Sequence, residues 1–216
     1  MPENLINLDK KLFLVLNHFA TTGVDPVMRF LSGPVPWILF IIGFLMLLWG
    51  IPVNRFRNRY LLIVGSLILA YAISEQTSVH LFKEVFMRLR PCHEPTLDGQ
   101  VRLVANSCGG QFGFVSTHAA NSFNLAIFTA LLIHRRWFTI SMFTWAILVS
   151  YSRIYLGIHY PGDVIGGMVL GCLIGCGMFI VTNKILKHKD VKKVKNLKND
   201  KNHNQHISTS TNQQII

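Results

Sequence analysis

Five stretches of the chain are nearly unbroken runs of hydrophobic positions: about 33–53, 60–82, 117–133, 138–156 and 162–182. Each approaches the roughly 20 residues a helix needs to cross a bilayer. The pattern predicts an all-α fold, a polytopic membrane helix bundle with about five transmembrane helices. The segment ahead of them, LINLDKKLFLVLNHFA, is shorter and carries Lys10 and Lys11 in its middle. Its Leu5, Ile6, Leu12, Phe13 and Leu16 recur at roughly helical spacing, which predicts an amphipathic helix lying in the membrane interface. It lacks the basic start and small-residue cleavage site of a secretory signal. Residues 91–113 are punctuated by Pro, Gly and Asn and read as an irregular cap. Gly167, Gly171 and Gly175, four apart in the last run, predict close helix packing.

Polar residues break this pattern at three places. KEVFMRLRP closes the second run with Lys83, Arg88 and Arg90; FVSTHAANS opens the third with Ser116, Thr117 and His118. YSRIYLGIHYPGD places Arg153 at the end of the fourth run and His159 and Asp163 at the start of the fifth. With helices alternating in direction, all three clusters reach one face of the membrane. Two histidines, an aspartate and several cations suit phosphoryl transfer. Arg and Lys bind phosphate oxygens, a neutral imidazole attacks phosphorus, an Asp orients that imidazole, and a second His moves the proton. Ser116 suits an N-cap and Pro161 the first turn of a helix. Arg88, without an evident partner, reads as a snorkelling interfacial side chain. Glu75, costly at membrane depth, reads as a counter-charge facing the cations or a neighbouring helix.

Composition and charge set the orientation. Half of the residues are hydrophobic, only 14% are charged, and the formal net charge is +11. Arg55, Arg57 and Arg59, then Arg135 and Arg136, then eight lysines from Lys184 to Lys201 fall on one side, which becomes cytoplasmic. The three polar clusters then face outward. Residues 184–216 form a basic tail expected to meet anionic lipid with its lysines and to be disordered at its Asn/Gln/Ser/Thr-rich end; nothing points to nucleic acid. Cys92 and Cys108 lie in the outward loop, where a disulfide can form. Two unrelated thiols, or a zinc site with His93 that lacks an evident fourth ligand, stay open as alternatives.

The order Lys83–x6–Arg90–Pro91, Ser116–Thr117–His118 and Ser152–Arg153–x5–His159–x3–Asp163 resembles the tripartite signature of the type 2 phosphatidic acid phosphatase family. These are membrane lipid phosphatases that share a fold with vanadium haloperoxidases. The middle part departs from the family's Pro-Ser-Gly-His, having Val115-Ser116-Thr117-His118. The resemblance implies a membrane phosphatase domain over residues 1–183. It implies phosphate binding by Lys83, Arg90, Ser116, Thr117 and Arg153, a nucleophile at His159 oriented by Asp163, and a general acid at His118. It also implies a phosphohistidine intermediate with no cofactor and no metal. The expected setting is a bacterial inner membrane with the site facing the periplasm. The expected partner is a phosphorylated lipid, undecaprenyl diphosphate ahead of lipid A or phosphatidylglycerol phosphate. A non-catalytic lipid-binding or transport protein is the competing class. A vanadate-dependent oxidase is a weaker third.

Overall fold

The computed structural model describes residues 3–19, 21–50, 59–104 and 108–213, with backbone alone for 45, 47–50, 190 and 192–213. The expected cytoplasmic arginines Arg55 and Arg57 lie outside the described residues, as do the side chains of the tail lysines from Lys192 onward. Among the described residues, seven α-helices longer than one turn carry the architecture: α1 (Glu3–His18), α2 (Asp25–Ser32), α3 (Pro34–Gly50), α4 (Tyr60–Gln76), α5 (Thr117–Ile133), α6 (Arg136–Tyr155) and α7 (Pro161–Gln213). No strand occurs among the described residues; one isolated bridge joins Leu89 and Phe112.

The five hydrophobic runs coincide with α3 to α7. Among the described residues, two helical stretches suffice by length and apolarity to cross a membrane, Tyr60–Phe86 and Pro161–Lys189, and a third does if α2 and α3 count as one span bent by 57°. The sequence reading has no counterpart to α2. Gly33 and Pro34 account for the bend, because Pro34 has no N–H to continue the hydrogen bonding of α2.

A shared core forms where α3 to α6 meet, with Phe44, Ile63, Phe123, Phe128, Met142 and Ala146 buried together. Lipid tails are as apolar as these side chains, so packing rather than escape from water holds the helices. The glycines of α7 show how close that packing is. A Cβ on Gly167 would overlap the carbonyl of Ser116, and one on Gly171 the carbonyl of Ala120, so α7 lies directly on the backbone of α5.

The amphipathic helix α1 buries Phe13 edge-on against Tyr160, with ring centroids 5.4 Å apart. The buried Asn17 donates to the carbonyls of Arg102 and Tyr155 and accepts from the Arg102 N–H. Leu5, Leu8, Leu12 and Val15 stay exposed, a face suited to the interface. Residues Ile180–Ile216 form a separate compact unit. The backbone there is helical to Gln213, where the composition suggested disorder. After Gly177 no Gly or Pro occurs to end the helix.

Candidate active site

The first polar cluster is delivered by a change of helix type. α4 continues as a π-helix over Thr77–Lys83, a wider turn frequent at functional sites, which ends on Lys83. Met87, in the left-handed conformation at φ 43°, stops the helix. Arg88, Leu89 and Arg90 then run extended, held by the Gly113 N–H on the Arg88 carbonyl (2.8 Å) and the Arg90 N–H on the Gln111 carbonyl (3.1 Å). Arg88 and Arg90, two residues apart, nevertheless reach different partners, Arg88 two carboxylates and Arg90 two loop carbonyls.

Arg90 is buried and donates through Nε to the Phe112 carbonyl (3.2 Å) and through Nη1 to the Cys108 carbonyl (3.0 Å). Cys108 is joined to Cys92 by a disulfide, with Cα atoms 6.2 Å apart. Both thiols are thereby used, which leaves His93 without the partners a zinc site would need.

Ser116 occupies the N-cap position of α5, yet its hydroxyl makes no capping bond and is buried without a partner. Thr117 accepts a hydrogen bond from Lys83 Nζ at 2.7 Å, which aims the lysine. Arg153, in the last turn of α6, donates through Nη1 to Ser32 Oγ, while its Nε is buried and unpartnered. Lys83, Arg90, Thr117, His118, Arg153 and His159 all line one cavity of about 810 Å3. Away from these residues the cavity continues between α3 and α4 as an apolar trough with Phe40, Phe44, Val64 and Leu67.

His159 sits in the turn between α6 and α7. Gly157 makes this turn at φ 84°, where an added Cβ would lie 2.8 Å from the Arg102 carbonyl. The first turn of α7 follows, and Asp163 reaches back to accept the Tyr160 N–H at 3.0 Å, as the third residue of a capped helix does. This places Asp163 Oδ2 3.5 Å from His159 Nδ1. The separation is ion-pair range and longer than a hydrogen bond, and Nδ1 has no other partner. Burial, followed by the charges of Arg90, Arg153 and Lys83, holds His159 well below the ordinary imidazole range. The ring is therefore neutral, the form that can attack phosphorus.

Three residues of the site escape the sequence reading. Arg88 is not a snorkelling side chain: Nη1 donates to Asp163 Oδ1 (2.9 Å), Nη2 to Asp9 Oδ2 (2.7 Å), and Cζ stands 4.2 Å over the Tyr160 ring. Its partners lie 75 and 79 residues away, beyond any local pattern. Asp9 of α1 also accepts the Gly162 N–H at 2.9 Å, tying α1 to the start of α7. Gly113 lets the loop backbone approach the dyad, since a Cβ there would stand 2.9 Å from Asp163 Oδ2. Its place in GGQFGF was the available signal.

The PAP2 superfamily matches residues 59–187, a stretch that contains all three polar clusters. The chain is 33% identical to a lipid A 4'-phosphatase of Porphyromonas gingivalis over 80% of its length and 72% of the relative's. It is 34% identical to a lipid A 4'-phosphatase of Bacteroides thetaiotaomicron, covering 86% of this chain and 81% of that one. An undecaprenyl-diphosphatase of Sulfolobus acidocaldarius is 30% identical over 80% of this chain and 77% of that protein. The fold is shared with a crystal structure of a transmembrane PAP2-type phosphatidylglycerolphosphate phosphatase from Bacillus subtilis. There the TM-score is 0.65 at 23% identity, over 86% of this chain and 89% of that one. With Aquifex aeolicus LpxE the TM-score is 0.57, over 81% and 93%. The chain belongs to the PAP2 superfamily, as a membrane-spanning phosphatase.

Proposed function

We propose that the chain removes a phosphate monoester from a phosphorylated diglucosamine lipid of the lipid A type on the extracytoplasmic side of a bacterial inner membrane. The carrying observation is that His159, backed by Asp163, faces the same cavity as three cations and His118. The two lipid A 4'-phosphatase relatives support this substrate over undecaprenyl diphosphate, reversing the order expected from sequence.

In the proposed reaction Lys83, Arg90 and Arg153 bind the phosphate oxygens, with the unpartnered Ser116 hydroxyl and Arg153 Nε as further donors. His159 Nε2 attacks phosphorus, the bond from phosphorus to the sugar oxygen breaks, and His118 gives its proton to the leaving alkoxide. The new phosphohistidine carries positive charge on its ring, which draws Nδ1 toward Asp163. His118 then takes a proton from water, whose oxygen displaces His159 and releases inorganic phosphate. No step calls on a metal.

Phosphate release from purified lipids in detergent, with chelator present, tests the assignment. The diglucosamine phosphomonoester is expected to give the highest kcat/KM. A higher value for undecaprenyl diphosphate or phosphatidylglycerol phosphate would overturn the substrate. No release from any lipid would leave a binding protein.

A further inference from the structure

Below the cations the cavity changes character. His118 and Asn121 are three residues apart on α5 and share one face of that helix. Asn121 Nδ2 donates to Glu75 Oε2 at 2.8 Å, which sets the carboxylate one turn beneath the proposed acid. The amide is thereby oriented, so Asn121 Oδ1 is left as an acceptor, buried and unpartnered. Asn124, one turn lower, also leaves a buried Oδ1 unpartnered. Asn121 and Asn124 are 6% and 3% exposed, and both line the cavity together with Glu75. Two buried acceptors and a carboxylate thus sit on the path from the phosphate site to the apolar trough.

We infer that Glu75, Asn121 and Asn124 form a subsite for the leaving alcohol that accepts hydrogen bonds from hydroxyl or amide groups of a sugar and repels a second phosphate. The inference deepens the proposed function and rests on its placement of the reacting phosphate among Lys83, Arg90 and Arg153. His118 must lie beside the leaving oxygen, so whatever that oxygen carries comes next, at the level of Asn121. For a sugar phosphomonoester this is a ring bearing donors, which the free acceptors can pair; a buried acceptor without a partner is costly. For a prenyl diphosphate it is an anionic phosphate beside Glu75, and like charges at such range oppose one another strongly. Glu75 is therefore a specificity residue, and its presence at membrane depth has a use beyond balancing cations.

Glu75→Gln separates this role from a structural one, because a glutamine oxygen still accepts from Asn121 while the charge is gone. With the full chain purified in detergent, kcat/KM is measured for a diglucosamine phosphomonoester lipid, undecaprenyl diphosphate and phosphatidic acid. Glu75→Gln is expected to raise the ratio of diphosphate to phosphatidic acid hydrolysis by about tenfold or more. An unchanged ratio overturns the charge selection, whichever lipid the wild type prefers. The wild type is expected to favour the sugar lipid over phosphatidic acid, which offers no hydroxyl beside the leaving oxygen, by about tenfold or more. Equal rates overturn the hydroxyl subsite, and this arm decides if the variant fails to accumulate. Absence of any release from the sugar lipid would instead refute the substrate assignment, with the Glu75 ratio still readable on the other two lipids.

Discussion

Arg88 grips Asp163 from the side away from His159: Nη1 donates to Oδ1 at 2.9 Å, while Oδ2 is left 3.5 Å from the imidazole. Oδ1 is thus anchored by Arg88, while Oδ2 is shared between the Tyr160 N–H and the histidine. With Asp163 wholly buried, losing the anchor leaves a buried charge short of a partner.

Arg88→Ala should lower kcat by about 10²-fold, the scale of an error near 1 Å in a reacting group. Arg88→Lys should recover part of it, since one donor can replace one of two. Asp9→Asn should cost less, because Arg88 keeps Asp163. Steady-state phosphate release from detergent-purified, monodisperse protein provides the measurement. Full activity in Arg88→Ala would mean that the Tyr160 N–H alone holds Asp163.

His159→Ala should abolish turnover, because the path through a covalent intermediate disappears. His118→Ala should slow the reaction by about 10²–10⁴-fold. Trapping labelled phosphate on protein quenched in alkaline detergent, where a phosphohistidine survives, distinguishes the two. His118→Ala should retain label on the protein, and His159→Ala should show none.

The depressed imidazole gives a pH expectation. A histidine shifted down stays neutral as pH falls through the ordinary value of 6.5, so kcat/KM should hold through that point and decline only at lower pH. Stability follows the same sign. The unfolded chain takes up a proton below 6.5 that folded His159 refuses, so stability is fully present above that value and is lost as pH falls further. An imidazole signal of His159 that titrates near 6.5 by NMR would show that the ring is not held in that environment.

Gly171→Ala should destabilise the fold by about 1–3 kcal/mol, the usual range for overpacking, because its Cβ meets the Ala120 carbonyl rather than a movable side chain. Gly177→Ala, with open space around it, is the control. Thermal unfolding in detergent should rank them in that order.

Removing the Cys92–Cys108 bridge, which spans a separation of 16 residues, should cost about 3 kcal/mol in the chain-entropy model. Because Arg90 donates to the Cys108 carbonyl, the double Cys→Ser variant should also raise KM. A change in thermal stability with no change in KM would show that Arg90 is held by Phe112 alone.

Much of the site was legible because its signals are local. The His159–Asp163 spacing is one helical turn, and the Lys83–Arg90 interval straddles the end of a span. The helices followed from apolar run length, and the glycine spacing in α7 from its period of four. What stayed hidden depends on distant partners. Arg88 looked solitary because Asp9 and Asp163 lie far along the chain, and the π-turn before Lys83 leaves no mark in residue type. Helix α2 has a helical hydrophobic period but runs for only 8 residues, too few to stand apart from the long apolar run that follows. The cavity role of Glu75 required knowing that α5 turns Asn121 toward it.

The hydrogen bond from Gly162 to Asp9 has a bearing on biosynthesis. These partners are separated by 153 residues. Chains emerge from the ribosome N-terminus first, at about 5–20 residues per second. On that timetable, Arg88 is synthesised first, 79 residues after Asp9, and the Gly162 N–H follows only after the intervening helices. His159, Asp163 and the contact of Asp9 with Gly162 come together only once α7 is made. On the proposed mechanism, hydrolytic competence is thus the closing event of assembly, and a chain stalled midway carries the cations of the site without its histidine–aspartate pair.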